Sequence, residues 1–173
     1  MLLTRLGEMA CAFPIAQVIE TMRPLPVEPL GTLADGALAA ITGMAMIRGE
    51  PVPVVDARRL LGIAAGRDAR FVIVRVADRR FAVVVDDVLD VRDIANDVLV
   101  GLPPLLRDAS RDSVSAIGAR DAGLLIVLDA ARLLPEASWQ ALAQPGAPRG
   151  HAPPSDPASD SPSDPSSIPR SDR

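Results

Sequence analysis

Residues 43–62 read GMAMIRGEPVPVVDARRLLG, and the second half of this stretch occurs twice in the chain. The segment VVDARRLL at 54–61 returns as VLDAARLL at 127–134, 73 positions later. An earlier pattern of charged and aliphatic residues recurs at an offset of 70, so that Val18 aligns with Val88. Two such similar offsets indicate an internal duplication. Two like halves create a groove between them, which favours a docking module over an enzyme.

The residues around the repeat predict a mainly β fold with short helices. PVPVVD at 51–56 indicates a strand, and its two prolines favour an edge position because proline cannot donate to a ladder. FVIVRVA at 71–77 and RFAVVVD at 80–86 flank Asp78-Arg79 and predict a hairpin. LLIVLD at 124–129 predicts a further buried strand.

Each copy of the repeated motif predicts a helix directly after its strand. Asp56 and Asp129 stand at the two strand-to-helix junctions and are expected to be N-caps. A carboxylate there accepts hydrogen bonds from otherwise unpaired backbone N–H groups, a contribution of about 1 kcal/mol. Gly62 and Pro135 are expected to end the two helices.

The composition predicts one soluble globular domain. The chain has 173 residues, of which 49% are hydrophobic, enough for a core. Only three Phe, one Trp and no Tyr are available to stack on bases, and the 18 arginines form no long run, so nucleic-acid binding is not expected. Cys11 is the only cysteine, which excludes an intramolecular disulfide and favours a buried thiol in a reducing compartment.

The sequence also predicts a cytoplasmic protein with a folded domain over residues 1–143. The start, MLLTRLGEM, lacks the apolar core of a secretory signal, and no apolar run approaches the roughly 20 residues that cross a bilayer, so no membrane insertion is expected. Residues 144–173 are rich in Pro, Ser and Asp and predict a disordered tail.

The string at 43–62 resembles the signature of the CheW-like domain of bacterial chemosensory coupling proteins. In that signature, Arg-Gly is followed by a short strand, a Pro-Val-Val-Asp stretch, and then Arg and Leu residues. FPIAQVIETMRPL at 13–25, RFAVVVDDVLDV at 80–91 and LLIVLDAARLL at 124–134 resemble further elements of the family. The likeness therefore covers about Arg5 to Leu134.

The resemblance implies two five-stranded β-barrels of SH3-like topology that pack against each other. We expect residues of about 1–65, with a closing segment 124–143, to form one barrel, and 66–123 to form the other, intertwined with it. The junction of the two halves is expected near Ala65.

The resemblance further implies a non-catalytic scaffold that couples chemoreceptors, the methyl-accepting proteins, to a CheA-type histidine kinase. One barrel is expected to dock on the kinase regulatory domain, and the groove between the barrels to accept the cytoplasmic tip of the receptor. The protein would associate with membrane receptor arrays through these partners.

Five residues match family positions implicated in protein interaction. Arg48 matches the signature arginine, whose guanidinium can hold a partner carboxylate through two hydrogen bonds, and Gly49 beside it permits a positive φ. Gly43 matches a family glycine before a buried strand. Val18 and Glu20 align with the strand that helps to form the kinase-binding edge of the family.

Each of these matches also has a structural alternative. Arg48 could be a solvated side chain before a turn, Gly43 a turn residue, Val18 a core residue and Glu20 a surface charge. One position departs from the family pattern, because Met46 stands where an Asn is common. An apolar side chain there removes a polar contact and could mark a different receptor partner.

The residue inventory argues against catalysis, metals and cofactors. The one histidine, His151, lies in the predicted tail, so no imidazole is positioned to activate Cys11 or a serine. One Cys and one His do not make a zinc site, and no phosphate-binding glycine motif occurs. An acidic cluster is expected to be a solvated face: Asp86, Asp87, Asp90 and Asp93.

Two other functions remain as alternatives at this point. One is a small-ligand-binding or enzymatic double barrel, which would need buried carboxylates with shifted pKa values in its groove. The other is a CheW-like adaptor of a chemosensory pathway that does not control motility.

Overall fold

The structure, a computed structural model, describes residues 1–30, 41–64, 69–95, 99–101, 114–120 and 123–143. The predicted junction at Ala65, the predicted tail and His151 lie outside the described residues. The strands are β1 (Leu2–Leu6), β2 (Met9–Phe13), β3 (Val18–Met22), β4 (Val27–Glu28), β5 (Ile41–Ile47), β6 (Glu50–Asp56), β7 (Arg70–Val76), β8 (Arg79–Val85), β9 (Asp87–Val91), β10 (Leu99–Gly101), β11 (Val114–Arg120) and β12 (Gly123–Leu128). The helices are α1 (Ala57–Leu61), α2 (Ala130–Leu133) and α3 (Glu136–Ala143), with a 3-10 helix at Ile15–Gln17.

The described strands form two six-stranded sheets with the same topology. Sheet 1 has the order β10–β11–β12–β2–β1–β9, and sheet 2 has the order β4–β5–β6–β8–β7–β3. Each position in one sheet is filled by the strand six places away in the chain from its counterpart in the other. The parallel pairs also correspond, since β2 pairs with β12 and β8 pairs with β6. The mainly β prediction is confirmed, and among the described strands neither order closes into a barrel.

The irregularities of the two sheets correspond as well. The pairing of β3 with β7 skips Ile19, and the pairing of β1 with β9 skips Leu89, which lies 70 positions later. The pairing of β5 with β6 skips Thr42, and that of β11 with β12 skips Ser115, 73 positions later. Each of these two hydroxyls donates a 3.1 Å hydrogen bond to a carbonyl of the opposite strand, at Val54 and Val127. The irregularities of the two sheets are therefore related by the same two offsets, 70 and 73, that relate the repeated sequence patterns.

The two sheets are built from other segments of the chain than those expected for the two barrels. All strands of sheet 2 lie between residues 18 and 85, whereas sheet 1 joins strands from residues 2–13 with strands from 87–128. The reason is an exchange of hairpins between the repeats. The hairpin β1–β2 joins the sheet formed by β9 to β12, and the hairpin β7–β8 joins the sheet formed by β3 to β6. β2 joins sheet 1 through β12, and β8 joins sheet 2 through β6.

The hydrophobic core is built mainly from aliphatic side chains of both sheets, together with three buried phenylalanines. One cluster contains Phe13 of β2, Phe81 of β8, and Leu133 of α2, so it joins sheet 1, sheet 2 and a helix. Phe71 of β7 belongs to a second cluster within sheet 2. Cys11 is fully buried in the first cluster, and burial raises the pKa of its thiol to about 12.

The strand PVPVVD is not at an edge, contrary to the prediction, because β6 lies between β5 and β8. Its prolines are tolerated because β8 pairs with β6 only from Val54 onward. Pro51 and Pro53 are in register with β5 only, at Met46 and Met44. Their missing N–H groups therefore break no ladder bond to β8.

The predicted hairpin of β7 and β8 is confirmed, with its turn at Ala77–Asp78, one residue earlier than expected. Ala77 has a φ of 53°, and the equivalent turn between β1 and β2 places Gly7 at a φ of 58°. The first residue of both turns therefore adopts the left-handed conformation that favours glycine.

The helices begin at aspartates in both repeats. The Asp56 carboxylate accepts a hydrogen bond from the Arg58 N–H, and that of Asp129 accepts one from the Ala131 N–H. Gly62 is the C-cap of α1, with a φ of 69°, whereas the C-cap of α2 is Leu134, directly before Pro135.

Helix α3 was not predicted from the sequence. Its Trp139 packs edge-on against Phe81, with ring centroids 6.2 Å apart, and the Arg79 guanidinium lies 5.3 Å from the Trp139 ring. These contacts attach α3 to β8.

Candidate functional site

The turn between β5 and β6 consists of Arg48 and Gly49, which both have a positive φ, of 53° and 82°. A two-residue turn of this kind matches the right-handed twist of the flanking strands and requires left-handed backbone at both positions. A Cβ at Gly49 would meet no atom within 4 Å, so the glycine serves the turn and not a close contact. The turn presents the Arg48 side chain, which is 70% exposed, at the end of the hairpin.

Arg48 forms a two-hydrogen-bond ion pair with Glu20 of β3. Its Nε lies 2.9 Å from Oε1 and its Nη2 lies 2.6 Å from Oε2 of the Glu20 carboxylate. The hydrogen bond from Arg48 lowers the pKa of Glu20 below its ordinary value, and the same bond raises the pKa of Arg48. The structure thus brings together two residues that the sequence marked separately, and the charge of each is compensated by the other.

This ion pair joins distant strands of sheet 2. β3 lies three strand positions from β6, which is about 14 Å at the usual strand spacing. The contact between Arg48 and Glu20 therefore connects the edge strand β3 to the turn that precedes β6, although two strands lie between them in the sheet order.

Two further charged residues complete an exposed cluster beside this pair. Glu50, directly after the turn, forms an ion pair with Arg80 of β8. The charge of Arg80 contributes to the lowered pKa of Glu20, after the stronger effect of Arg48. We call Glu20, Arg48, Glu50 and Arg80 the charged face. The sequence analysis missed Glu50 and Arg80 because their contact depends on the parallel pairing of β6 with β8.

The edge strand β3 carries the other matched residue, Val18. Val18 is half-buried and pairs with Val74 of β7, and after the bulge Glu20 pairs with Ile73. The unpaired Ile19 is 46% exposed. A bulge changes the direction of the side chains that follow it, so this one contributes to where Glu20 points.

Gly43 has a structural role in β5. A Cβ at this position would lie 2.2 Å from the carbonyl oxygen of Glu28 and 2.7 Å from Cγ1 of Val27. The glycine is therefore needed for the close approach of β4, and it is buried beneath that strand.

An apolar groove with a volume of about 180 Å³ runs along the outer part of sheet 2. Met46 is half exposed within it, and Glu28 is the one ionisable residue among the described residues of its lining. The residue that departs from the family pattern therefore contributes to a concave, mostly apolar surface. The groove is lined by Leu25, Pro26, Glu28, Met44, Ala45, Met46 and Pro51.

A buried ionic cluster lies at the start of α1. The Arg58 guanidinium contacts Asp56 at 3.1 Å and Asp86 at 2.9 Å, and the Gly7 N–H donates to the second carboxylate at 2.5 Å. Asp86 is only 8% exposed, so the predicted solvated face is wrong at this residue. The three remaining acids of that group lie at the surface: Asp87 pairs with Arg5, Asp90 pairs with Arg92, and Asp93 is exposed.

The described residues contain no group of three or more His, Cys, Asp or Glu side chains that could hold a metal ion. In the same part of the chain, no helix is both long and apolar enough to cross a membrane.

The fold and site define a class of protein: a mainly β domain of two equivalent sheets, with a cluster of ion pairs on the surface of one sheet. The CheW-like domain family matches residues 1–138, and the chain belongs to this family. The resemblance inferred from the sequence is thereby confirmed, and it places the chain among chemotaxis scaffold and adaptor domains.

The fold is also that of a solved scaffold protein. The crystal structure of the scaffolding protein TtCheW from Thermoanaerobacter tengcongensis is similar to this chain, with a TM-score of 0.63 and 23% sequence identity. The match covers 73% of this chain and 81% of that chain. A search of curated proteins finds no match.

Proposed function

We propose that this chain is a non-catalytic, cytoplasmic scaffold that couples chemoreceptors to a CheA-type histidine kinase. It would bind the kinase regulatory domain and the cytoplasmic tip of a receptor, and reach membrane arrays through these partners. Family membership supports this function, and one observation carries the site: the Glu20–Arg48 pair, which is exposed yet held by two hydrogen bonds.

The β3 edge and the charged face are proposed as the docking surface for the kinase. Among the described strands, the one that carries Val18, Ile19 and Glu20 is paired on one side only, and an unpaired edge offers backbone groups to a partner. Arg48 keeps one nitrogen, Nη1, outside its two hydrogen bonds with Glu20. A partner carboxylate or carbonyl could therefore bind beside the pair without breaking it.

We further propose that the two sheets correspond to two SH3-like barrels within a folded domain of residues 1–143. The Glu20–Arg48 contact supports this for sheet 2, because it joins the edge strand to a turn three strand positions away, and the identical strand order extends the argument to sheet 1. The alternative of a small-ligand or enzymatic barrel is less well supported, because the groove found in sheet 2 has a mainly apolar lining.

Binding measurements with matched charge reversals test this function. The probes are the kinase regulatory domain and a receptor signalling fragment from the same genome. We expect the native chain to bind both, and Arg48→Glu to weaken at least one affinity by about tenfold or more, because it sets two carboxylates against each other at the docking face. Arg79→Glu is the matched control, since Arg79 is also exposed and pairs with Glu136 at 2.6 Å.

A charge exchange separates direct contact from local structure. In the double variant Glu20→Arg and Arg48→Glu, the ion pair is restored with its charges reversed. If Arg48 contacts the partner, binding stays weak in this variant. Restored binding would mean that the pair acts only by holding β3, and a folded native chain that binds neither probe would refute the proposed function.

A further inference from the structure

The chain crosses between the two sheets at two equivalent places, and each crossing is attached to the start of a helix. Residues 14–17 lead from β2 in sheet 1 to β3 in sheet 2, and Asp86 leads from β8 in sheet 2 back to β9 in sheet 1. The first crossing contacts the N-terminus of α2 through Gln17. The second contacts α1 through Asp86 and Arg58.

The two attachments differ in chemistry. The second is a buried ion pair, in which Arg58 lies between Asp86 and the capping Asp56. The first is a neutral amide: Gln17 Nε2 donates to Asp129 Oδ1 at 3.0 Å, and Gln17 Oε1 accepts from the Ala130 N–H at 3.1 Å.

The Gln17 amide donates one hydrogen bond and accepts another, so it fixes both the position and the orientation of the crossing. Asp129 Oδ1 also accepts from the Ala131 N–H at 3.0 Å, which makes the capping carboxylate the shared acceptor of the helix and the crossing. Val18, the first residue of β3, follows Gln17 directly, and Glu20 is three residues away.

We propose that Gln17 is a positioning residue for the β3 edge. Its amide holds the start of β3 against sheet 1, and so sets where the Ile19 bulge and the Glu20 carboxylate lie relative to Arg48. A neutral attachment is easier to release than the buried charged one at Asp86, so β3 is the edge whose position can adjust. For its effect on partner binding, the inference rests on the proposed function.

A reciprocal exchange of side chains tests this role. Gln17→Glu replaces the donor with a carboxylate facing the carboxylate of Asp129, and breaks the attachment. In the double variant Gln17→Glu and Asp129→Asn, the amide and the carboxylate change places. Position 129 then donates to position 17, and its side-chain oxygen still caps the helix. Gln140→Glu, at an exposed position of α3, is the matched control.

The first readout is hydrogen exchange of the β3 amides, which needs no partner. We expect Gln17→Glu to accelerate exchange in β3 by about tenfold relative to β9, and the double variant to restore the native rate. Unchanged β3 exchange, equal acceleration in both edges, or no recovery in the double variant would each overturn the proposal.

The second readout is affinity for the kinase regulatory domain, which should fall with Gln17→Glu and recover in the double variant. If the affinity stays unchanged in Gln17→Glu, or does not recover in the double variant, while the exchange rate of the β3 amides does change, the link between Gln17 and docking is overturned. If the native chain binds no kinase domain, the proposed function fails, and the exchange measurement still decides whether Gln17 positions β3.

Discussion

Arg48 and Ala77 both hold a φ of 53°, although neither is a glycine. At Arg48 this backbone directs a guanidinium toward Glu20, and the cost is tied to the site. Ala77 has no ionisable side chain, and the equivalent residue of the other repeat is Gly7. The same left-handed backbone therefore carries a side chain of the proposed docking surface in one turn and an alanine in the other.

Ala77→Gly is expected to stabilise the protein by roughly 1 kcal/mol, because glycine removes the Cβ that disfavours left-handed backbone. Denaturant unfolding measures the effect, with Ala69→Gly as a control outside the turn. A loss of stability in Ala77→Gly would contradict the assigned strain.

Glu20 is expected to titrate below the ordinary range of a glutamate, because the hydrogen bond from Arg48 favours its charged form. Since its folded pKa is lowered, the pair contributes to stability above the unfolded pKa, and this contribution is lost as pH falls through the folded pKa. NMR titration of the Glu20 side chain measures it. In Arg48→Met the pKa should rise, and an unchanged pKa would contradict the pairing in solution.

At the scale of elements, the short strand β4 depends on one glycine. Gly43→Ala would place a methyl group 2.2 Å from the Glu28 carbonyl oxygen, so β4 must move or β5 must shift. We expect a loss of about 1–3 kcal/mol in denaturant unfolding. Gly49→Ala, with a positive φ but no neighbour within 4 Å, is the comparison and should cost less. Equal losses would show that crowding does not matter at Gly43.

The two capping aspartates are equivalent in position but not in energy. Asp129→Ala should cost about 1–2 kcal/mol, because it removes the helix cap and the acceptor of the Gln17 amide. Asp56→Ala should cost more, about 3 kcal/mol, since it also removes a carboxylate from the buried Arg58 guanidinium. Comparison of the two unfolding free energies tests this, and equal values would mean that the ionic cluster adds nothing beyond the cap.

Across the whole molecule, local sequence patterns predicted the strands and caps, whereas the side-chain contacts of the candidate site depend on pairing between strands that are distant in the sequence. VVDARRLL and VLDAARLL gave the two helix starts, and the offset of 70 gave equivalent edges at β3 and β9. The contacts of Glu20 with Arg48, and of Arg58 with Asp86, each join residues 28 positions apart. No local pattern specifies them, because they depend on the strand order of sheet 2 and on the exchange of hairpins between repeats.

The folded domain is expected to be independent of residues 145–173, whose composition offers little apolar surface to bury. A chain ending at Gln144 should have the same melting temperature and the same affinities for both partners as the full chain. Thermal unfolding and binding of the two chains test this, and a lower melting temperature would show that the segment contributes to the fold.

The most direct measurement of the coupling function is a bridging assay. A receptor signalling fragment is immobilised, the histidine kinase is added, and kinase retention is measured with and without this chain. The scaffold function predicts retention that requires the chain and falls with Arg48→Glu but not with Arg79→Glu. Kinase retention that is the same whether or not the folded chain is present would contradict the account.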